Sequence, residues 1–412
     1  MKIFIALCLL ATTLSLEHSL RGVLRSPQET LKLYGDYKAK EHLQYKDSED
    51  RMRLMLFRSN AELVAQANEE SDSAVFGLNF FSAMTEDEKR QYLGLNITGH
   101  LPNSAPLSAD LMTDVPESKL WTDEEAVTAV KNQGSCGSCW TFGAVGGLET
   151  RYQQVSGKLR NFAEQEYLDC VYEGKRNGCN GGWPDDCYTY SAGKGGRLAS
   201  TADYGYTPSD GKCKSSSKPD AMIAAKISGY QSVGRTETAN IAALVAGSLS
   251  VAFEVTNYFQ QYSGGIIKDT TCRGRPNHAV TAVGYTPEFV LVKNSWGTSW
   301  GDKGFVKFAR NYHNCDLFEY SSYPKLTKTS ETDSTPSDAA TDYKAEDGDD
   351  KPDPEPVCED KKQDCVFSKR KCKRNRYAAK CQKTCKKCED SGECPSGTIK
   401  CSDGICRHEH MC

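Results

Sequence analysis

Gln133-Gly134-Ser135-Cys136-Gly137-Ser138-Cys139-Trp140 runs straight into a helical repeat. Phe142, Val145, Leu148, Tyr152 and Val155 recur at three- or four-residue spacing, and Gly157 is a natural stop. The spacing predicts a helix that begins at Cys139. Its sulfur then sits at a helix N-terminus, where free N–H groups and the helix dipole favour an anion. A thiolate, not a thiol, attacks carbon, so this placement suits a nucleophile. Cys136 and Cys139 also form a C-x-x-C pair, a spacing shared with redox sites and zinc sites. A redox site wants a preceding βαβ pattern, which is not evident. Zinc wants a second ligand pair, and the cysteines that follow are scattered singly.

A cysteine nucleophile needs a base that titrates near neutral pH, which means histidine. The region that follows holds His278 and His313. His313 lies near Cys315 in a polar loop and reads as a surface residue. His278 opens Asn277-His278-Ala279-Val280 at the entry to an expected strand, which fixes a side chain better than a loop does. Taken alone, a histidine at a strand start is more often structural than catalytic.

Cys136 to Trp140 match C-G-[SA]-C-[WY], a signature of the papain family of cysteine proteases, and the chain resembles that family. His278 follows Cys139 at the family's distance, and Asn294, in Lys293-Asn294-Ser295-Trp296-Gly297, matches its third residue. The resemblance implies an α+β, two-lobed papain-like fold, a helical lobe facing a β lobe across the active-site crevice. Strand-like runs at Leu249 to Val255, Ala279 to Tyr285, Phe289 to Lys293 and Phe305 to Phe308 agree with the second half. It also implies roles. Cys139 attacks, His278 pairs with it and protonates the leaving amine, Asn294 orients the imidazole and Trp296 shields that bond. Gln133 and the Cys139 backbone N–H serve the oxyanion. Gly181 and Gly182 bind substrate backbone. Trp183, Pro184, Asn277, Ala279 and Tyr320 border the substrate, with Tyr320 flooring a shallow apolar pocket that prefers Leu or Val. No paired-histidine insertion of the dipeptidase kind is visible, so an endopeptidase is expected, with protein and peptide substrates. The same resemblance pairs Cys136 with Cys179, Cys170 with Cys213 and Cys272 with Cys315. Cys187 is left over, at a position that reads as buried helix, where a lone thiol acts as a small hydrophobe.

At 412 residues the chain has room for two or three modules of ~150 residues. Nineteen cysteines argue for an oxidising compartment. Met1-Lys2 and the apolar run Ile3 to Leu10 read as a secretory signal peptide, residues 1–16, too short for a membrane anchor. The expectation is an extracellular or lysosomal protein. Residues 17–113 are charged and cysteine-free after it, with helical patterning from Glu29 to Glu70 marked by Leu31, Tyr34, Tyr37, Met52, Leu56, Leu63 and Val64. Glu49, Arg53, Phe57, Asn60, Val64 and Asn68 resemble the spaced helix motif of the family's propeptides. Gly77, Asn79 and Phe81 resemble its second motif, whose usual aspartate is replaced by Ala83. The resemblance implies an inhibitory prodomain whose extended tail lies backwards through the cleft and which is removed at acid pH, here driven by carboxylates other than the missing one. Asn96-Ile97-Thr98 is an N-glycosylation sequon, so Asn96 is a candidate glycan site.

The peptidase domain is placed at 114–325. Residues 326–357 lose large apolar side chains and end in an acidic run, the composition of an extended, disordered linker. In 358–388 six cysteines fall at C-x6-C-x6-C-x8-C-x3-C-x2-C among lysines and arginines. Six cysteines allow fifteen pairings. The spacing resembles the ShK toxin-like (ShKT) domain, which implies Cys358–Cys388, Cys365–Cys381 and Cys372–Cys385. About thirty residues cannot bury a sufficient core, so the bridges would hold that module. Its basic charge fits an anionic surface or glycan, with a channel as the remaining partner class. Residues 389–412 form a short Cys-rich tail. Nothing points to nucleic acid, a cofactor or a metal, and a monomer is expected. The alternative to a protease is a toxin-like or surface-binding effector in which the basic Cys-rich tail from Cys358 onward is the active part.

Overall fold

The computed structural model describes residues 20–95, 114–174, 178–268, 272, 276–312, 314–341, 399–400 and 406–407. The sequon at Asn96, His313, the signal peptide and the six cysteines of 358–388 lie outside the described residues. Two units divide the chain, 1–345 and 346–412. Of the second, Ile399–Lys400 and Cys406–Arg407 form an antiparallel pair.

In the first unit the N-terminal segment is a helical hairpin. Ser26 caps the helix Pro27–Lys40 by accepting the Glu29 N–H at 3.3 Å, and Pro27 sits in its first turn. The helix Asp47–Glu70 opens with Asp47, Glu49 and Asp50, which suit the positive end of the dipole. Tyr34, Tyr37 and Phe57 are buried between the helices, whereas Leu31 and Met52, expected on the apolar faces, are exposed. The four-residue rhythm of Arg53, Phe57, Asn60, Ala61, Val64 and Ala67 turns one face of the long helix inward.

The region expected to be the peptidase, from residue 114 onward, packs a helical half against a sheet. The helix Cys139–Ser156 ends at Gly157, whose φ of +72° gives a left-handed cap. It presses on the strand His278–Tyr285 because the helix is glycine there. A Cβ on Gly146 would lie 2.1 Å from Thr281 Oγ1. In spatial order the strands are Ala74–Phe76, Tyr262–Ile267, Phe305–Ala309, Phe289–Lys293, His278–Tyr285, Leu249–Phe253, Tyr320–Lys328 and Ala225–Ser232, with Lys119–Leu120 also on His278–Tyr285. One core surrounds the helix through Trp140, Val145, Leu148, Tyr152 and Tyr188. Another fills the β half through Phe253, Phe259, Trp300 and Phe308, and it takes in Phe76, Phe81 and Tyr92 of the N-terminal segment.

The described part of the segment read as an extended linker, 326–341, behaves differently. It completes a strand to Lys328 and then lies on the peptidase body. Asp333 is buried, pairs with Arg160 at 3.1 Å and accepts the Tyr152 hydroxyl at 3.0 Å. The Asp338 and Thr341 N–H groups donate to the Leu159 and Val127 carbonyls. Composition misses this because backbone bonds and one buried carboxylate hold the segment, not apolar side chains.

Candidate active site

Cys139 is the first residue of its helix and fully buried. Its sulfur accepts the Ala279 N–H at 3.5 Å, which ties the helix to the strand that starts at His278. His278 pairs with Phe253 across the sheet and its ring packs 4.7 Å from Trp296. The His278 Nε2 lies 2.9 Å from Asn294 Oδ1. That oxygen also accepts the Ser295 N–H at 2.8 Å, which fixes the amide orientation. An acceptor at Nε2 requires the proton to be there, so Nδ1 carries the lone pair. Nδ1 is buried without a hydrogen-bond partner. A buried imidazole nitrogen that carries a lone pair and has no partner can accept a proton.

Burial dominates the charge state of both groups. It pushes the Cys139 thiol up to about 11, against the pull of backbone N–H groups from Ala279 and Gly94. It pushes His278 down to about 4, against the Asn294 bond.

Gln133 is buried, with its amide held on both sides. Oε1 accepts the Ser295 hydroxyl at 2.7 Å, and Nε2 donates to Cys136 O at 2.8 Å and to Tyr92 O at 3.1 Å. Tyr92 belongs to the N-terminal segment, so a carbonyl of that segment is one of the two acceptors on the Gln133 amide nitrogen. The same segment continues across the site. Gly182 N donates to Gly94 O at 3.0 Å, Leu95 N donates to Asn277 O at 3.2 Å, and Leu95 bridges Gly182 in parallel. A Cβ on Gly94 would lie 1.7 Å from Gly137 O, so only glycine fits over the start of the Cys139 helix.

Upstream, the segment docks on residues 260–268. Ala74–Phe76 pairs antiparallel with Tyr262–Ile267, Asn79 Nδ2 donates to Gln260 O at 2.8 Å, and the Ser82 hydroxyl donates to Gln261 Oε1 at 2.9 Å. Phe81 stacks edge-on against Trp296 at 4.9 Å. Asn68 clasps the Phe76 backbone through two bonds of 2.8 Å, and Asn60 donates to Ser82 O at 3.0 Å. Arg53 donates to Ala83 O at 3.0 Å and pairs with Glu49 and Glu88. Arg53 therefore finds carboxylates although position 83 has none. The Arg53 bond lowers the Glu88 carboxyl to about 2 against its partial burial.

Trp183 and Tyr320 meet edge to face at 5.4 Å, and Pro184 starts the helix that follows Trp183. Ala279 and Tyr320 both sit opposite Ala252, on neighbouring strands. Two alanines and one tyrosine thus share a row on one face of the sheet. Disulfides join Cys136 to Cys179, Cys170 to Cys213 and Cys272 to Cys315, and Cys187 is a free, buried thiol. Sequence reasoning passed over Ser295, Tyr92, Gly94 and Tyr206. Tyr206 OH donates to Gln133 O and lies within hydrogen-bond reach of Ser138 Oγ, at 2.7 Å each. Their roles depend on contacts between distant segments, which no local pattern records.

Residues 115–325 match the papain family cysteine protease model, and residues 34–88 match the cathepsin propeptide inhibitor domain. Papain of Carica papaya is 35% identical over 73% of this chain and 88% of its own. Thiol protease aleurain of Arabidopsis thaliana is 35% identical over 67% and 78%. Digestive procathepsin L2 from the larval midgut of Tenebrio molitor superposes with a TM-score of 0.65 at 34% identity, covering 72% of this chain and all of that one. A recombinant stem bromelain precursor gives 0.66 at 32% identity, over 73% and 99%. The matches cover both the docked N-terminal segment and the site beneath it: the chain belongs to the papain family of cysteine proteases and carries its own inhibitory prodomain, as a zymogen.

Proposed function

We propose that this zymogen, once its prodomain is removed, is an endopeptidase in which Cys139, His278, Asn294 and Gln133 carry the chemistry. The observation that supports it most directly is the His278 ring. Asn294 holds the proton at Nε2, which leaves Nδ1 to take the proton of Cys139. The Cys139 thiolate adds to the peptide carbonyl carbon and the carbonyl oxygen becomes an oxyanion. Gln133 Nε2, released from Tyr92, and the Cys139 backbone N–H receive that charge, one such donor being worth roughly 3 kcal/mol of barrier. The tetrahedral adduct collapses, the C–N bond breaks and His278 gives its proton to the departing amine. Water, deprotonated by His278, then cleaves the thioester and returns Cys139. Trp296, packed on His278, keeps water from the Asn294 bond.

The substrate runs along Gly181 and Gly182 and past Asn277. Its side chain two residues before the cut enters a pocket walled by Trp183, Pro184 and Ala279 and closed by Tyr320. The Tyr320 ring, edge-on to Trp183, leaves a short apolar pocket that takes Leu or Val better than Phe or Arg. Passage through the secretory pathway, a glycan on Asn96 and an ShKT-like basic module that attaches the enzyme to an anionic surface or glycan complete the reading. The described disulfides fit an oxidising route.

The test is hydrolysis of a fluorogenic Leu-Arg dipeptide amide after acid processing, with and without an epoxide that alkylates cysteine thiolates. Epoxide-sensitive turnover that disappears in Cys139→Ala is expected. Turnover retained in Cys139→Ala, or absent from folded, prodomain-free enzyme, overturns the assignment. A peptide library that selects Arg at the pocket overturns the Tyr320 reading alone.

A further inference from the structure

Tyr206 lies outside every motif that marks the site, yet its hydroxyl oxygen is 2.7 Å from Gln133 O and 2.7 Å from Ser138 Oγ. The phenol has one proton. A carbonyl can only accept, so that proton goes to Gln133, and the Ser138 hydroxyl must donate to the phenol oxygen. Ser138 is fully buried, is the N-cap residue of the Cys139 helix, and gives that helix no side-chain cap bond. Its stronger described contact is therefore this one, the alternative being Cys136 O at 3.4 Å.

The connectivity of Gln133 gives the link its meaning. Its N–H donates to Ser295 O at 2.8 Å, and its Oε1 accepts the Ser295 hydroxyl at 2.7 Å. Both bonds tie Gln133 to the segment that carries Asn294. On the helix side, Nε2 reaches Cys136 O, but Nε2 is the group needed for the oxyanion. Tyr206 is what joins the Gln133 backbone to the residue just before Cys139. The Tyr206 ring is itself fixed, edge-on to Phe142 of the same helix at 4.9 Å. Thr207 N donates to the buried Gln165 Oε1 at 2.8 Å, which anchors the backbone next to it.

We propose that Tyr206 is a positioning residue that sets the spacing between the two oxyanion donors, the Gln133 amide and the Cys139 backbone N–H. The proposal rests on the oxyanion role given to Gln133 above. An oxyanion is stabilised only by donors placed where charge develops, so loss of the hydroxyl lowers turnover and not substrate binding.

The experiment uses acid-processed full-length enzyme and the variants Tyr206→Phe, Gln133→Ala and the double. Tyr206→Phe keeps the ring and removes only the relay. Its kcat on the dipeptide amide should fall about tenfold with KM held within about twofold, a modest loss for a misplaced donor. Binding of a peptide aldehyde, whose thiohemiacetal oxygen uses the same donors, should weaken by about the same factor. Alkylation of Cys139 by iodoacetamide forms no oxyanion and should stay within about twofold, which also reports an intact fold. In the Gln133→Ala background, Tyr206→Phe should cost less than about twofold. An unchanged kcat, or an equal loss in both backgrounds, overturns the proposal. If Gln133→Ala alone leaves kcat unchanged, the oxyanion role of Gln133 has failed, and the proposal with it. Should Tyr206→Phe fail to fold, Ser138→Ala breaks the relay at its other end, and full kcat there overturns the proposal.

Discussion

Cys139 and His278 are both neutral under the prodomain tail, because burial raises the thiol to about 11 and lowers the imidazole to about 4. An exposed imidazole titrates near 6.5. Where removal of the tail readmits water to His278 and raises it towards that value, the uncovered site binds a proton that the covered site refuses. The covered state is therefore favoured in full above about pH 6.5 and loses that advantage progressively as pH falls towards 4. This gives acid processing a cause that does not depend on the aspartate missing at Ala83. The Glu88 carboxyl, held near 2 by Arg53, adds nothing until the pH is far lower. Processing of the precursor should set in between about pH 6.5 and 4, read by gel at fixed times. A precursor that stays intact from pH 7 to pH 4 refutes this. The His278–Asn294 contact was legible, since both residues stand at matching distances from the Cys139 signature. The neutral resting state was not, because it comes from burial, which no local pattern records.

The prodomain tail works as an element through main-chain contacts. Gly182, expected to bind substrate backbone, and Asn277, expected to border the substrate, are used by Gly94 and Leu95 with the tail running parallel to Gly182. The grip costs the tail any side chain at 94, where a Cβ would collide with Gly137 O. Gly94→Ala should weaken docking by about 1–3 kcal/mol, the usual range for overpacking. That corresponds to roughly a five- to 150-fold rise in the activity of intact precursor at pH 7. Precursor activity on a small fluorogenic amide, with a gel to show that the chain is uncut, measures it. An Ala variant as silent as the parent refutes the contact. The long helix of the prodomain was legible from its apolar rhythm. Its docking strand, Ala74–Phe76, was not, since three residues carry little pattern and the partner strand is nearly two hundred residues away.

Across the whole molecule, the catalytic body is longer than its family match. That match ends at 325, yet residues 329–341 cross the helical half and return to the stretch before the Cys139 helix. Thr329 donates to Ile223 O at 2.7 Å, Asp333 settles between Tyr152 and Arg160, and Ala340 bridges Thr128. Thr128 is itself part of a buried charged cluster: its hydroxyl meets Glu149 at 2.5 Å and Lys293 at 2.8 Å, and Lys131 pairs with Glu149 and Glu164. The strap thus closes over polar groups that the apolar core leaves to hydrogen bonds. Low apolar content hid it, because composition reports what can be buried by the hydrophobic effect and not what a single paired carboxylate can anchor. Asp333→Ala leaves Arg160 without its carboxylate and Tyr152 without its acceptor, at a cost of about 1–3 kcal/mol. For a domain of this size that lowers the melting temperature by roughly 2–4 °C per kcal/mol. Thermal melting of the processed enzyme should show the drop, while kcat on the dipeptide amide stays at the parent value because Asp333 touches nothing in the cleft. An unshifted melting curve would mean that the strap hangs on the surface without holding it. A shifted one would move the boundary of the catalytic body to Thr341 and place any cut that frees the basic tail beyond that residue.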